Sequence, residues 1–211
     1  MTSTPPDPAE EPALLAQARL RDDRGAIRSF LAAADENRQR KELFRAAKEG
    51  FINVLEVFSE SGMMPLDARW PSGNTTPLMH AIMKSQKAAI RFLLSKNCDI
   101  HAKNDTGYTP LHVAASSARD IETVMILALA GANFEAVNKE DKTPMEVADW
   151  KMRPEMKGWL REAEAAQKQA VEDRRIEAIE RDAAIAHSGV VVKPMRPLTF
   201  KARQNNFMFM R

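Results

Sequence analysis

Histidine and cysteine are the side chains of this 211-residue sequence whose chemistry would suit a metal site or a nucleophile. The four histidines are His80, His101, His112 and His187. No two of them have the spacing that places metal ligands on one helical face. A nucleophilic thiolate needs a base beside it, and the sequence around Cys98 supplies none. We therefore expect no metal site, and we expect Cys98 to be a small buried side chain.

Motifs of other active sites are also missing from the sequence. It contains no glycine-rich phosphate-binding loop and no Gly-x-Ser-x-Gly elbow. Carboxylates are plentiful, but many stand four residues from a cation, as Glu164 does from Lys168, which is typical of a solvated helix face. The expectation is a protein that is not an enzyme and holds no cofactor.

A repeated frame organises the middle of the chain. Residues 109–115 read Thr-Pro-Leu-His-Val-Ala-Ala, Thr76-Pro77-Leu78 lies 33 residues earlier, and Thr143-Pro144-Met145 lies 34 residues later. Self-similarity at this period predicts stacked helical repeats rather than a single globular core.

The motif Thr-Pro-Leu-His-x-Ala at this period resembles the ankyrin repeat family. The resemblance implies that each repeat is a β-turn finger followed by two antiparallel helices, and that fingers and first helices line a concave groove. It implies protein binding rather than chemistry. It also implies that His112 hydrogen-bonds between neighbouring turns, whereas Met79 stands at that position in the preceding repeat, with His80 one place on.

The fold class expected for residues 13–160 is an all-α, ankyrin-type solenoid of four to five helix pairs. Residues 1–12 are rich in proline and acids and are expected to be disordered. The first pair, within residues 14–31, and the last pair are degenerate, and a short helix ending near Leu160 is expected to close the stack. Helix pairs are predicted to end at residues that tolerate a positive φ angle, namely Gly62, Asn97 and Gly131.

Residues 161–188 are predicted to form a long charged helix. They lack proline and are rich in Ala, Glu, Arg and Lys, which are good helix formers. The helix is expected to dock by its first turns and project beyond the stack. The helix is also a candidate for coiled-coil pairing, although a sustained coiled coil would have larger residues along its apolar stripe. Its apolar stripe is thin and broken, and consists of Ala163, Ala166, Ala170, Ile176, Ile179, Ala183 and Ala186.

Residues 189–211 form a basic tail that we expect to be extended and to contact a protein surface. Nucleic-acid binding through this tail is a less favoured alternative, because the rest of the chain is acidic. The tail residues expected to make contact are Lys193, Arg196, Phe200, Lys201, Arg203, Phe207 and Phe209.

The repeat frame also predicts which side chains point into the groove. They flank each finger glycine or follow the small residues of each first helix. The predicted groove residues are Arg69, Trp70, Asn74, Met83, Lys84, Lys103, Asp105, Tyr108, Ser116, Ser117, Lys139, Glu140, Lys142, Trp150 and Lys151.

Three aromatic residues stand out in this set, because rigid aromatics dominate binding hot spots. Each has a structural alternative. Trp150 would plug the end of the core where the fourth repeat fails, Trp70 would pack back onto its neighbour from a lengthened finger, and Tyr108 would be an ordinary exposed residue before a helix start.

The function predicted from these patterns is protein–protein recognition by an adaptor or inhibitor, with the C-terminal helix and tail as a second contact. An immunity-like inhibitor and a translocated effector are the settings kept open, as is a homo-oligomer formed through the helix or tail. Groove cations, chiefly Arg69, Lys84, Lys103 and Lys142, would favour an acidic partner.

Charge and hydropathy give the expected location. The formal charge is +2, and the stretch from Ser188 onward holds five cations and no acid, which leaves −3 for the remainder. The first residues do not resemble a secretory signal, and no apolar run approaches a membrane span. We expect a cytoplasmic protein with no membrane contact, one that could be translocated without a signal of that kind.

Overall fold

A computed structural model describes residues 18, 21–118, 120–151 and 153–188, with side chains as far as residue 181. These residues form nine α-helices and no strand, which confirms the all-α class. The N-terminal segment, the first helix of the degenerate first pair and the basic tail lie outside the described residues. The helices are α1 (Arg24–Ala33), α2 (Glu36–Glu49), α3 (Ile52–Ser61), α4 (Pro77–Met83), α5 (Lys87–Ser95), α6 (Pro110–Ser117), α7 (Ile121–Leu129), α8 (Pro144–Trp150) and α9 (Pro154–Ser188).

Three first helices begin in the same way, at the repeated Thr-Pro. The side-chain oxygens of Thr76, Thr109 and Thr143 accept the backbone N–H three residues further on. The proline that follows each threonine occupies the first turn, where its missing N–H costs nothing. The repeated dipeptide is therefore a helix start with its own cap.

The described residues fall into two compact units. Unit 1 lies within Met1–Cys98 and also includes Lys103–Thr106. In it α2 packs against α4, while α3 packs against both α1 and α5. Its fully buried side chains include Ile27, Leu31, Leu43, Leu55, Leu78, Ile82, Ile90 and Leu93.

Unit 2 comprises Asp99–Ala102 and the described residues within Gly107–Arg211. Here α6 packs against α8 and α7 packs against α9. The core of this unit is built from Leu111, Val124, Leu127, Val147, Met156 and Leu160. Each unit thus repeats one arrangement, in which first helices lie beside first helices and second helices beside second helices.

His112 joins two repeats within unit 2, and its structural role is confirmed. It is fully buried. A backbone N–H can only donate and a carbonyl can only accept, so Nδ1 accepts from the Thr109 N–H at 3.2 Å and Nε2 donates to the Lys142 carbonyl at 2.9 Å. The ring is therefore a neutral tautomer that links the start of α6 to the next finger.

The C-terminal helix differs from its predicted boundaries. The short closing helix and the long charged helix are one continuous helix, α9 (Pro154–Ser188), with no break near residue 160. Gly158 lies inside it with nothing within 4 Å of where a Cβ would stand, and the residues that follow contain no helix breaker. The second helix of the last repeat therefore simply continues.

Among the residues of α9 whose side chains are described, packing holds those before residue 171. Met156, Leu160 and Ala163 are fully buried, and Gln167 Nε2 donates to the Ala128 carbonyl at 2.7 Å and to the Ala132 carbonyl at 3.0 Å, at the end of α7. Residues 171–181 are all exposed. The prediction that the helix docks by its first turns is confirmed.

The helix-terminating positions are also confirmed, with φ angles of 65° at Gly62, 60° at Asn97 and 95° at Gly131. A different glycine, Gly107, is constrained by packing as well, since it has φ 78° and an added Cβ would lie 2.7 Å from the Lys139 nitrogen. Nothing lies within 4 Å of a Cβ added at Gly131.

We predict that Gly107→Ala destabilises unit 2 more than Gly131→Ala does. Both variants place alanine at a positive φ angle, at a cost of about 1–2 kcal/mol. Only Gly107→Ala also forces two backbone segments apart, which adds about 1–3 kcal/mol. Urea unfolding of the full chain, followed by circular dichroism, measures both free energies. Equal losses would show that the finger containing Asn138 and Lys139 yields without cost.

Candidate functional site

The predicted groove residues are divided between the two units, and we name the two sets separately. The unit 1 face consists of Arg69, Trp70, Asn74, Met83, Lys84, Lys103 and Asp105. The unit 2 face consists of Tyr108, Ser116, Ser117, Lys139, Glu140, Lys142, Trp150 and Lys151. Both faces lie on fingers, first helices and the residues just after them.

Hydrogen bonds between fingers shape the unit 1 face. Arg69 Nη1 donates to the Asn74 carbonyl at 3.2 Å and to the Lys103 carbonyl at 3.0 Å. The Asp105 N–H donates to the Gly73 carbonyl at 3.0 Å. These bonds hold the exposed guanidinium of Arg69 in one place, so its charge is presented by a fixed scaffold.

Trp70 is a packing residue on the unit 1 face. Its half-buried ring meets Phe44 of α2 edge-on, with centroids 5.0 Å apart, and lies 6.5 Å from the ring of His80. Phe44 and His80 are also 5.0 Å apart. Trp70 therefore packs back onto the neighbouring repeat, as in the structural alternative given above.

The segment that supplies Arg69, Met83 and Lys84 to the unit 1 face carries only positive charge. Between residues 68 and 98 the sequence contains no Asp or Glu. Met83 and Lys84, two of the predicted groove residues, are exposed at the end of α4. The frame-based prediction missed three further cations on and after α5, although the absence of acids would have revealed them. The cations of the segment are Arg69, Lys84, Lys87, Arg91 and Lys96.

The first part of the unit 2 face is tied to α6. The half-buried ring of Tyr108 lies against His112, with centroids 5.4 Å apart and planes 31° apart. The hydroxyls of Ser116 and Ser117 both donate to the Val113 carbonyl, at 3.0 Å and 2.5 Å. The lone pairs of these two hydroxyl oxygens remain available as hydrogen-bond acceptors.

Trp150 is the exposed aromatic of the unit 2 face. It ends α8 with 56% of its surface exposed. The Nζ of Lys151 lies 4.1 Å from its ring and the Nζ of Lys142 lies 4.8 Å from it, and Lys142 also pairs with Glu140 at 2.8 Å. Lys139, which directly precedes Glu140 in the same finger, is also exposed.

The alternative in which Trp150 plugs the core is wrong. Val147 and Ala148 fill the core at this end of α8. Because a helix turns by about 100° per residue, the side chain two places after Ala148 points away from it. Trp150 is therefore an accessible ring flanked by two ammonium groups.

Cys98 is held in a form that disfavours nucleophilic chemistry. Cys98 is 6% exposed, as expected of a small buried side chain. Burial raises the pKa of its thiol, and the charge and hydrogen bond of Asp67 raise it further, so the reactive thiolate is disfavoured. Within the described part of the chain no cluster of His, Cys, Asp or Glu is arranged to hold a metal ion. Among the described helices, none is long and apolar enough to cross a membrane.

His80, whose ring lies 6.5 Å from that of Trp70, makes the folding stability depend on pH. Burial, and secondly the charge of Lys48, lower the pKa of His80 from its usual value of 6.5. Its Nε2 lies 3.0 Å from the Thr75 hydroxyl. The unfolded chain therefore takes up a proton at this residue at a higher pH than the folded chain does, and folding stability falls as the pH drops below about 6.5.

We predict that the unfolding free energy of the wild type minus that of His80→Gln falls between pH 7.5 and pH 5.5. Glutamine keeps a hydrogen-bonding group near Thr75 but has no proton to gain in this range. Urea unfolding at several pH values measures the difference, and other titrating groups cancel between the two proteins. A difference that stays constant with pH would contradict the assignment.

Comparison with known proteins agrees with this architecture. Residues 15–104 and the overlapping residues 43–138 match the family described as "Ankyrin repeats (3 copies)". The two matches together cover more than half of the chain.

Individual relatives share the repeat region. The chain is 30% identical over 146 residues to "Neurogenic locus notch homolog protein 1" of Homo sapiens, which covers 67% of this chain and 6% of that protein. It is 28% identical over 102 residues to "Protein phosphatase 1 regulatory subunit 27" of Mus musculus, which covers 48% of this chain and 65% of that protein. The chain thus spans only a small part of the Notch relatives. Its capped Thr-Pro starts, its paired helices and these matches show that the chain belongs to the ankyrin-repeat family.

Proposed function

We propose that this chain is a non-catalytic protein-binding module whose unit 1 face and unit 2 face recognise a partner with acidic patches. Its family supports the first part, because ankyrin repeats form protein-binding scaffolds. The lysines beside Trp150 and the cations of residues 68–98 support the second part, the acidic character of the partner. The stack within residues 13–160 supplies the recognition surfaces, and residues 161–188 and 189–211 supply a second contact.

The observation that carries the proposal is the exposure of Trp150 between two lysines. Large exposed aromatics are uncommon on monomeric surfaces and are enriched at binding hot spots. At 56% exposure this ring has a large apolar area to lose on binding. The ammonium groups at 4.1 Å and 4.8 Å would meet carboxylates beside an apolar side chain of the partner.

The acidic character of the partner is supported by the charge of unit 1. The segment from residue 68 to residue 98 carries five cations and no acid. The chain as a whole is almost neutral, so this concentration of charge is local. A surface of one sign accelerates the encounter with a partner of the opposite sign and makes the encounter sensitive to salt.

An inhibitory or regulatory role is the second form of the same proposal. One relative is by name a regulatory subunit of a protein phosphatase. A chain that binds and regulates another protein would use the same faces as an adaptor. The two roles differ in whether the partner's activity changes on binding.

We predict that Trp150→Ala weakens binding to the partner by about tenfold to thirtyfold, the usual cost of truncating a hot-spot tryptophan. The partner is first identified by mass spectrometry of what co-purifies with the full-length chain. Calorimetry with the purified pair then compares wild type, Trp150→Ala and a control. Arg28→Ala is a suitable control, because this side chain is 51% exposed on α1 and lies outside both faces and outside residues 161–211.

Unchanged affinity of Trp150→Ala and of Lys84→Glu, with native circular dichroism, would reject both faces as the binding surface. Trp70→Ala is a poorer test, because this ring packs on Phe44 and its loss would also destabilise unit 1. Deletion of residues 189–211 tests the tail in the same assay. A partner that no longer co-purifies with the chain after nuclease treatment would instead indicate a nucleic-acid target.

A further inference from the structure

The second half of α9 presents large apolar side chains to solvent. Residues 171–181 are all exposed, and Val171, Ile176 and Ile179 are 58%, 46% and 60% exposed. Helices in proteins owe most of their stability to packing, and short helices without it are marginal in water. An extended helix that exposes two isoleucines three residues apart is therefore suited to a partner.

The exposed isoleucines do not continue the stripe that docks α9 on unit 2. The docked residues Met156, Leu160 and Ala163 share one side of the helix. At about 100° per residue, Ile176 and Ile179 lie on roughly the opposite side. A second helix can therefore approach this stripe without meeting the rest of unit 2.

The spacing of the stripe is that of a two-helix seam. Ile176 and Ile179 are followed in the sequence by Ala183 and Ala186. These steps of three, four and three residues correspond to successive a and d positions of a heptad, with Ile176 at a and Ile179 at d. Two isoleucine layers make a short and weak seam, so association should depend on concentration.

The flanking charges identify the occupant as a second copy in parallel orientation. In this register Lys168 and Arg175 are at g, while Asp173 and Glu180 are at e. In a parallel pair each g residue faces the e residue five places further along the other helix, which here joins opposite charges in both cases. In an antiparallel pair, Asp173 would face Glu180 of the other copy and like charges would repel, while Arg175 would face Asp182, so that repulsion and attraction offset each other. The parallel pair joins opposite charges at both of its positions and is therefore favoured.

The charges concerned are accessible for such pairing. Lys168 and Arg175 have side chains that are 74% and 73% exposed. Their contacts with Glu164 at 2.5 Å and Glu172 at 3.8 Å are pairs along one exposed helix, which are weak and readily exchanged.

We propose that the exposed half of α9 pairs in parallel with α9 of a second copy of this chain, forming a short coiled coil along Ile176 and Ile179. The pair would bring two sets of binding faces together. Two linked sites of modest affinity bind a multivalent partner more tightly than either site alone. This self-association stands independently of which partner the faces recognise.

Disulfide trapping tests the pairing in the full-length chain. In a parallel pair, two copies of Ile179→Cys place their sulfurs across the seam at a distance that a disulfide can bridge. We expect Ile179→Cys to form a covalent dimer in a glutathione buffer at least about tenfold faster than Val171→Cys, because pairing raises the effective concentration. Val171→Cys is the matched control, since it is equally exposed but lies off the seam. The native Cys98 is buried and serves as the background.

Charge reversal then tests the orientation. In the Ile179→Cys background, Arg175→Glu alone and Glu180→Arg alone should each slow trapping about fivefold, because two attractive pairs become repulsive. A mixture of the two variants should restore trapping as a heterodimer. Residues five apart do not face each other on one helix, so this rescue can come only from contact between chains.

Two results would overturn the proposal. Equal trapping rates for Ile179→Cys and Val171→Cys would show that the stripe does not pair. Preferential linkage of Ile176→Cys to Ile179→Cys in a mixture would show that the helices pair in the antiparallel orientation. Circular dichroism of each variant confirms that these exposed substitutions leave the fold unchanged.

Discussion

Helices α1 to α8 span 7 to 14 residues and are too short to be stable by themselves, and the architecture of the repeats follows from that constraint. Helix α4 spans only Pro77–Met83, yet five of its seven residues are buried. An isolated helix of this length would not persist in water. Each helix is stable because a neighbouring repeat covers its apolar side, and the sides that remain uncovered are free to serve binding.

The threonine cap at each first-helix start stabilises that helix locally, but it does not determine how the helices pack. The residue three places after each capping threonine differs among repeats, and is Met79, His112 or Glu146. The side chains of His112 and Glu146 both accept a hydrogen bond from the backbone N–H of the capping threonine, whereas Met79 is a buried apolar side chain. The bond from Thr143 also lowers the pKa of Glu146, because the carboxylate form accepts from the backbone and then from the hydroxyl. The repeat frame thus tolerates polar and apolar solutions at one position.

The same frame places binding groups on surfaces that the core does not use. Arg69 is held by two backbone carbonyls of adjoining fingers, and Trp150 is flanked by two lysines. Both groups are exposed, and both stand on backbone that is fixed by packing beneath it. A rigid support of this kind lowers the entropy lost when a partner binds. The exposed half of α9 lacks such support, which is why its isoleucines suggest a partner of their own.

The sequence alone determined the features that depend on neighbouring residues. The Thr-Pro starts and the positive φ angles follow from short motifs, since caps and turns involve residues a few places apart. The repeat period is evident from the recurring motif, and the linking role of His112 is implied by the ankyrin resemblance. Only the tertiary structure decided between the two tryptophans. Trp70 packs on Phe44 of another repeat, while Trp150 turns outward because Ala148 already fills the core. It also decided that α9 is continuous and where its packing ends. These outcomes depend on which distant residues come together in space, and side-chain type and spacing in one segment carry no record of that.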